Sequence, residues 1–439
     1  MKFRHILLVI VLVLASFVLY QFKTGRWTID GGWDWWNWDG WGGREAAAEE
    51  TQTIEAPVPP VLAVENGRGW VEVRGADQDT IQLTFKKTAW RRSEEEAKDI
   101  LDRLKYAVTK APDKLTLTTN RDEFPRKSFE TAFVLTVPRG TTVRVVNGYG
   151  AVRVDGVAET TVRNSHGEVF VTDVTGPCDV ETSYEDAEVQ RVTGECRITN
   201  SHADVRAGSV GGDLTIETSY AKVRVEDAGG KADIRGSNTD VEARRVAGAV
   251  TVDTSYEKVL LADVGPAEVT ARHSSVTAEG VRGDLKVRTS YEPIQISRVQ
   301  GNLVINAENA AVNAEGVAGG RIEVTTSYEK VTLTGFSAEV TVSNRNGGVS
   351  LAPLDLKHGI DVRSEYGEIA LAWPDGETAR LEAEAKGGSV HWGLEAKPDV
   401  EQSNGASLVK AFGASPAAPL VTLKTSYSDI RIDPAPRKF

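Results

Sequence analysis

Only two cysteines occur among the 439 residues, too few ligands to make a metal site on their own. No HExxH motif, no phosphate-cradling glycine loop and no repeated Gly-Gly-x-Gly-x-Asp calcium nonapeptide is present. Basic residues are in deficit, 51 against 63 acidic, for a net charge of −12. That balance argues against nucleic acid and anionic lipid surfaces as partners. Outward acids and bases are scattered rather than clustered, so no groove of convergent carboxylates can be picked out. These gaps leave no expected catalytic residue, no metal ligand and no cofactor.

What the chain does have is a repeat. Thr-Ser-Tyr ends at Tyr184, Tyr220, Tyr256, Tyr291 and Tyr328; Asn-Gly-Tyr149 precedes the series, Ser-Glu-Tyr366 follows it, and a further Thr-Ser-Tyr ends at Tyr427. The steps from Tyr149 to Tyr366 are 35, 36, 36, 35, 37 and 38 residues. Halfway between lie His166, His202, Asn238, Ser274, Asn309 and Asn346. The unit is therefore about 18 residues, a short period that signals a solenoid or array.

One unit, GDLTIETSYAKVRVEDA, places apolar residues at Leu214 and Ile216, then at Val223 and Val225, then at Ala228. A spacing of two within each pair is one face of a short strand. Thr-Ser-Tyr-Ala lies between the pairs, and Asp-Ala-Gly-Gly after them is turn chemistry. Short strands at constant spacing with no helix between them suit a coil stacked on itself, each coil adding about 4.8 Å along the axis. The expected fold is all-β: a single-chain parallel β-solenoid with a small β-rich cap containing one helix, preceded by an amino-terminal transmembrane helix. Residues 141–373 have room for about 13 coils, a rod of about 60 Å. The alternative is an antiparallel meander with the tyrosine corner as a hairpin, although that corner seldom holds the Asn-Gly or Asp-Gly pair of tight hairpins.

Residues 1–5 form a short basic tail, and 6–22 are an apolar run broken only by Ser16 and Gln21. The run has membrane-spanning length at its short limit, lacks a small-x-small cleavage site and reads as an uncleaved signal anchor. Lys2 and Arg4 put the tail in the cytoplasm, against the opposing charges Lys23 and Arg26. Residues 23–60 read as a spacer. Its first part holds Trp27, Trp33, Trp35, Trp36, Trp38 and Trp41, suited to the membrane interface or to an aromatic binding platform. Its second part, Arg44 to Pro60, is acidic and then proline-rich, and reads as a linker. Residues 61–140 lack the period and read as a cap. Ser93 opens its helix through a capping box with Glu96, and Ile100, Leu101, Leu104 and Val108 share a face. Residues 374–439 read as an irregular cap, a loop over the last coils followed by a final pair of strands in VTLKTSYSDIRI.

Three stretches carry a likeness: VENGRGWVEVRG, FVLTVPRGTTVRVVNGYGAVRVDGV and VTLKTSYSDIRI. With the repeat between them, residues 61–433 resemble the bacterial putative-adhesin family of β-strand-repeat domains of unknown function. Its usual Gly after the corner is here often Glu or Ala, which leaves the corner's backbone conformation open. The resemblance implies a β-solenoid of the bacterial envelope, outside the cytoplasm, with no catalytic residues to carry over.

Cys178 and Cys196 lie one repeat apart in the slot that Leu214 fills. Stacked Cα atoms about 4.8 Å apart would allow a disulfide or a pair of buried thiols. His166 and His202 would be about 9.6 Å apart, too far to share an ion, and His273 sits one residue off their register. Tyr149, Tyr184, Tyr220, Tyr256, Tyr291, Tyr328 and Tyr366 should form a stripe, packing over neighbouring corners or binding sugar. The functional expectation is a membrane-anchored, single-pass protein whose solenoid is a non-enzymatic adhesion, scaffold or interaction module for an envelope glycan or a membrane protein. The alternatives are a polysaccharide-binding or polysaccharide-cleaving β-helix and an accessory partner in envelope-stress signalling.

Overall fold

The computed structural model describes residues 44–124, 128–395, 399–403, 406–411 and 417–436. The expected signal anchor and the six tryptophans from Trp27 to Trp41 lie outside the described residues. Among the described residues, no helix is long and apolar enough to cross a membrane.

The coil from Leu214 to Ala228 shows how the sequence makes the fold. Strand Leu214–Ser219 points Leu214, Ile216 and Thr218 inward, and strand Lys222–Ala228 points Val223, Val225 and Ala228 inward. Burying each of the larger apolar side chains contributes about 1.5–3 kcal/mol. Leu214 pairs in parallel with Cys196 in the coil before and with Ala232 in the coil after. Val223 pairs in the same way with Val205 and Val241. These parallel partners, each 18 residues apart, rule out the meander. Two parallel sheets therefore face each other across a narrow core. Sheet I holds the strand before each tyrosine corner, and sheet II the strand after it. Coils of this kind run without a break from Thr142–Tyr149 to Ile369–Trp373.

The turn from sheet II back to sheet I is stacked so closely that glycine is required. A Cβ on Gly212 would lie 2.6 Å from the carbonyl carbon of Gly194 in the preceding coil. One corner of sheet II is left-handed in successive coils, at Asp173, Arg191, Ser209, Asp227 and Arg245 with φ between 51° and 58°. The charged residues in that column pair along the axis, which offsets part of the strain that non-glycine residues carry there.

Both ends differ from expectation, and for the same reason: coil order in space is not chain order. Arg44–Ile54, read from its acidic composition as linker, is an edge strand paired antiparallel with Ile81–Arg91. Its charges complement the partner strand, with Glu50 Oε1 2.6 Å from the buried Lys87 Nζ, and its Ala46 and Ala48 pack on the helix. Val61–Asn66 and Val71–Ala76 form a regular coil stacked directly on Thr142–Tyr149 and Val152–Asp155. Lys114–Thr119 and Phe129–Pro138 make the coil beyond it. At the far end, Leu420–Thr425 and Ile430–Pro434 sit directly on Ile360–Ser364 and Ile369–Trp373. The segment expected to be a covering loop contributes a further coil beyond them, Arg380–Lys386 and Val390–Trp392, with the hairpin Asp399–Ser403 and Ala406–Ala411 at its sheet I edge.

The helix spans Glu94–Arg103. Ser93 Oγ accepts from Glu96 N at 3.2 Å, and Lys87 Nζ caps the other end, donating to the carbonyls of Leu101 (2.6 Å) and Leu104 (3.0 Å). Val108, expected on the helix face, belongs instead to strand Tyr106–Lys110.

Candidate functional site

The tyrosine corner is built from three successive residues with different roles. In Thr-Ser-Tyr and Asn-Ser-His the first residue is buried, the second is at least partly exposed on the sheet face, and the third projects from the edge. The first positions stack as a column inside the corner: Asn147, Asn164, Thr182, Asn200, Thr218, and later Thr254, Thr289, Thr326 and Asn344. The four asparagines and Thr254, Thr289 and Thr326 satisfy backbone carbonyls that the turn leaves without strand partners, whereas the hydroxyls of Thr182 and Thr218 find no partner among the described residues. Asn164 Nδ2 donates to the carbonyls of Gly150 (2.9 Å) and Gly167 (2.8 Å). Asn147 Nδ2 donates to Gly150 O (2.9 Å) and to Asn164 Oδ1 (3.2 Å). Asn344 Nδ2 donates to Glu329 O at 2.8 Å and Thr254 Oγ1 to Thr239 O at 2.9 Å. Sequence reasoning overlooked this column, although its signal was visible: Thr or Asn recurs at the position two before the ring.

The absence of glycine after the corner is resolved by a change of conformation along the rod. At the start, Gly150 (φ 105°) and Gly167 (φ 152°) follow the ring residue and carry the positive φ. From Tyr220 to Tyr328 the ring residue or its Asn equivalent takes the left-handed region itself: Tyr220, Asn238, Tyr256, His273, Tyr291, Asn309 and Tyr328 have φ between 52° and 69°. Asparagine and histidine are enriched there, and the exposed tyrosines have room for it.

All seven tyrosines of the expected stripe lie on this one edge, and Tyr427 joins them. They are interleaved with the histidines. Tyr149, His166, Tyr184, His202 and Tyr220 stack in sequence, with ring centroids 4.5, 4.8, 5.5 and 6.0 Å apart and interplanar angles of 14°, 18°, 7° and 3°. Tyr256, His273 and Tyr291 form a second stack, at 5.1 and 5.0 Å. Tyr366 and Tyr427 form a third, at 4.9 Å, because the strand before Tyr427 adds directly onto the strand before Tyr366. His273, expected one residue off register, is in register: the pairing Ser255↔Arg272 sets it beside Tyr256, a 17-residue coil having taken up the difference. Asn238 and Asn309 interrupt the stacks.

The rings are stacked like coins along the rod, so within each stack their faces are occupied by neighbours. What remains for a partner is a row of ring edges, phenol hydroxyls and imidazole nitrogens. The stripe is exposed, from 48% at Tyr366 to 66% at Tyr220. Apart from Val146 and Leu354, the exposed large hydrophobic residues among those described are these tyrosines. The charge of Glu365, followed by a hydrogen bond to it, pushes the Tyr366 phenol up and keeps it protonated. Each stacked pair contributes about 0.5–1.5 kcal/mol beyond its burial.

Elsewhere, charges pair locally. Arg191 and Asp173 form a two-point contact of 2.7 and 2.7 Å, and the hydrogen bond from Arg191 holds the Asp173 carboxyl below its ordinary range. Arg244 does the same for Glu242, and Lys286 for Glu268. Cys178 and Cys196 pair in register as buried free thiols. A hydrogen bond with Cys178, together with burial, raises the Cys196 thiol well above its ordinary value. The described residues bring no group of three or more His, Cys, Asp or Glu side chains together as a metal site.

Residues 267–433 match the family model described as Toastrack DUF4097, and the coils of that region continue in the same stack back to Thr142. The resemblance to a family of β-strand repeats of unknown function is thereby borne out. No curated protein matches the chain. Among solved structures it is similar to one from Clostridium sporogenes described as a "putative cell adhesion protein", at 9% identity and a TM-score of 0.17, covering 88% of this chain and 99% of that one. It is also similar to a "putative lipid binding protein" from Parabacteroides distasonis, at 11% identity and a TM-score of 0.23, covering 70% of this chain and 97% of that one. At such scores neither likeness bears on ligand or role.

Proposed function

We propose that this protein is a non-enzymatic interaction module of a bacterial cell envelope, a rod held at the membrane by residues 6–22 with its coils outside the cytoplasm. The observation that supports it is the tyrosine–histidine edge, an exposed row of rings on one side of the rod that forms three stacks. Such a row suits an extended, regular partner such as an envelope glycan or a strand-like surface of a membrane protein, engaged at many equivalent points. Many charged side chains of the sheet faces pair with each other, within a strand or from coil to coil, rather than aiming at one point. The net charge of −12 disfavours polyanions.

The test is capture from isolated envelope glycans and detergent-solubilised membrane proteins by the full chain, with analysis of bound and released material. A glycan or protein retained unmodified, and retained less by a Tyr184→Ala/Tyr220→Ala variant, is the expected result. Shortened glycan in the released fraction would replace this reading with an enzymatic one.

A further inference from the structure

We propose that the outward face of sheet II around Gln295 and Asn313 is a groove for a neutral glycan strand lying along the rod. The inference rests on the interaction-module reading and names both a ligand class and a second surface for it.

Sheet II is divided along its length. Each of its coils presents two outward columns, and in the first half these carry Arg206, Arg224, Glu242 and Arg244, engaged in ion pairs. From the coil of Leu260 and Ala262 to that of Ala370 and Ala372, the same two columns contain no lysine or arginine. Within this stretch lies an open groove of about 480 Å³. Thr277, Gln295, Asn313 and Thr332 form one wall, paired coil to coil in unbroken register. Glu279 and Glu315 stand on the other wall, two coils apart.

The chemistry of this groove is uncharged hydrogen bonding. The exposed amides of Gln295 and Asn313 make no side-chain hydrogen bond among the described residues. Each offers donors and an acceptor side by side, as the adjacent hydroxyls of a sugar require. The coil repeat of about 4.8 Å is close to the advance of one pyranose ring along a chain, so successive sugars meet equivalent side chains. Glu279 is held by Arg298 at 2.7 Å, and Glu315 has no ion-pair partner among the described residues. With no base in either column and Arg298 already engaged by Glu279, an acidic glycan would meet the Glu315 carboxylate uncompensated. The charge of the groove thus selects a neutral or N-acetylated chain over a uronate.

The experiment titrates the full chain in detergent with cellotetraose, with the tetramer of N-acetylglucosamine and with tetragalacturonate, by calorimetry. Binding of at least one neutral tetramer is expected, weakened about tenfold or more in Gln295→Ala/Asn313→Ala, since each lost hydrogen bond contributes a few-fold or more in affinity. Arg206→Ala/Arg224→Ala, on the charged half of the same face, should bind as the parent does, and the uronate should bind at least tenfold more weakly than the neutral tetramer. Circular dichroism of each variant confirms the fold. Failure of both neutral tetramers to bind, equal binding by Gln295→Ala/Asn313→Ala, or equal binding of the uronate would overturn the assignment. If saccharide binding were lost in Tyr184→Ala/Tyr220→Ala instead, the groove would be refuted and the interaction-module reading would stand. A captured protein partner without any saccharide binding would have the same meaning.

Discussion

Replacing Asn164 with alanine tests whether the buried corner column holds the rod together. Asn164 is 3% exposed and takes part in three hydrogen bonds, two donated to the carbonyls of Gly150 and Gly167 and one accepted from Asn147. At about 1 kcal/mol net for each, Asn164→Ala should cost about 3 kcal/mol. Asn147→Ala removes two bonds, to Gly150 O and to Asn164 Oδ1, and should cost about 2 kcal/mol. The bond between the two side chains is counted in both, so the double variant should lose about 4 kcal/mol, a coupling of about 1 kcal/mol. Ser165→Ala, at the exposed middle position of the same corner, should change stability by no more than about 0.5 kcal/mol. A stack of coils need not unfold in one step, so the readout is native-state hydrogen exchange of the amides from Thr142 to Val174, which reports local opening. Single variants costing under about 1 kcal/mol, or a double variant equal to the sum of the singles, would refute the reasoning.

Four further outcomes follow from the geometry. Thr218 Oγ1 is buried without a partner among the described residues whereas Thr289 Oγ1 donates to Ser274 O at 2.7 Å, so by urea melts Thr218→Val should be neutral or stabilising and Thr289→Val destabilising by about 1–3 kcal/mol. Gly212→Ala, with its Cβ driven against Gly194, should cost about 1–3 kcal/mol or more in the same assay, and a neutral result would mean that the coils are not in the close contact described. Neither Cys178 nor Cys196 should react with a thiol reagent at pH 8 in the native state, and both should react in denaturant; a 178–196 disulfide found by mass spectrometry of unreduced protein would contradict the free-thiol pair. The carboxyls of Asp173, Glu242 and Glu268 are held low in the folded state, so their contribution is present above the unfolded carboxylate range and is lost as pH falls through the lowered values. Thermal midpoints should therefore stay flat from about pH 7 to 5 and fall below about pH 4, modestly because the pairs are exposed; a decline already complete by about pH 5 would assign the acid sensitivity to other groups.

The interior of the rod was legible in the sequence because parallel coils copy a local pattern. Leu214, Ile216, Val223, Val225 and Ala228 declare a period of two within a period of 18, and no distant information is needed to place them. The tyrosine edge was legible for the same reason, but its geometry was not. Whether rings lie flat to solvent or stack on one another depends on the 17-residue coil that moves His273 into line, and on residues that take up a positive φ without glycine. The ends were misread because period is a property of neighbours in sequence, and at the ends the neighbours in space come from elsewhere. Arg44–Ile54 hid a strand behind its glutamates, which face Lys86 and Lys87 of Ile81–Arg91. Arg380–Lys386 hid another, its alternation carried only by Leu381, Ala383 and Ala385, too small to stand out from the alanine-rich sequence around them.

The displaced coils impose an order of assembly. As the chain leaves the ribosome, Val61–Ala76 emerges early but acquires its two stacking neighbours only after Phe129–Pro138 and Thr142–Asp155 have followed. At the other end, Ile360–Trp373 waits while 380–392 goes by and is covered only by Leu420–Pro434, on whose far side 380–392 then finds its own stacking partner. The middle of the rod can zip up turn by turn, but each end is wedged shut by a segment out of sequence. A chain stopped short of Leu420 would hold most of its coils and still present an open, sticky sheet end, so the last wedge tells a finished rod from an unfinished one.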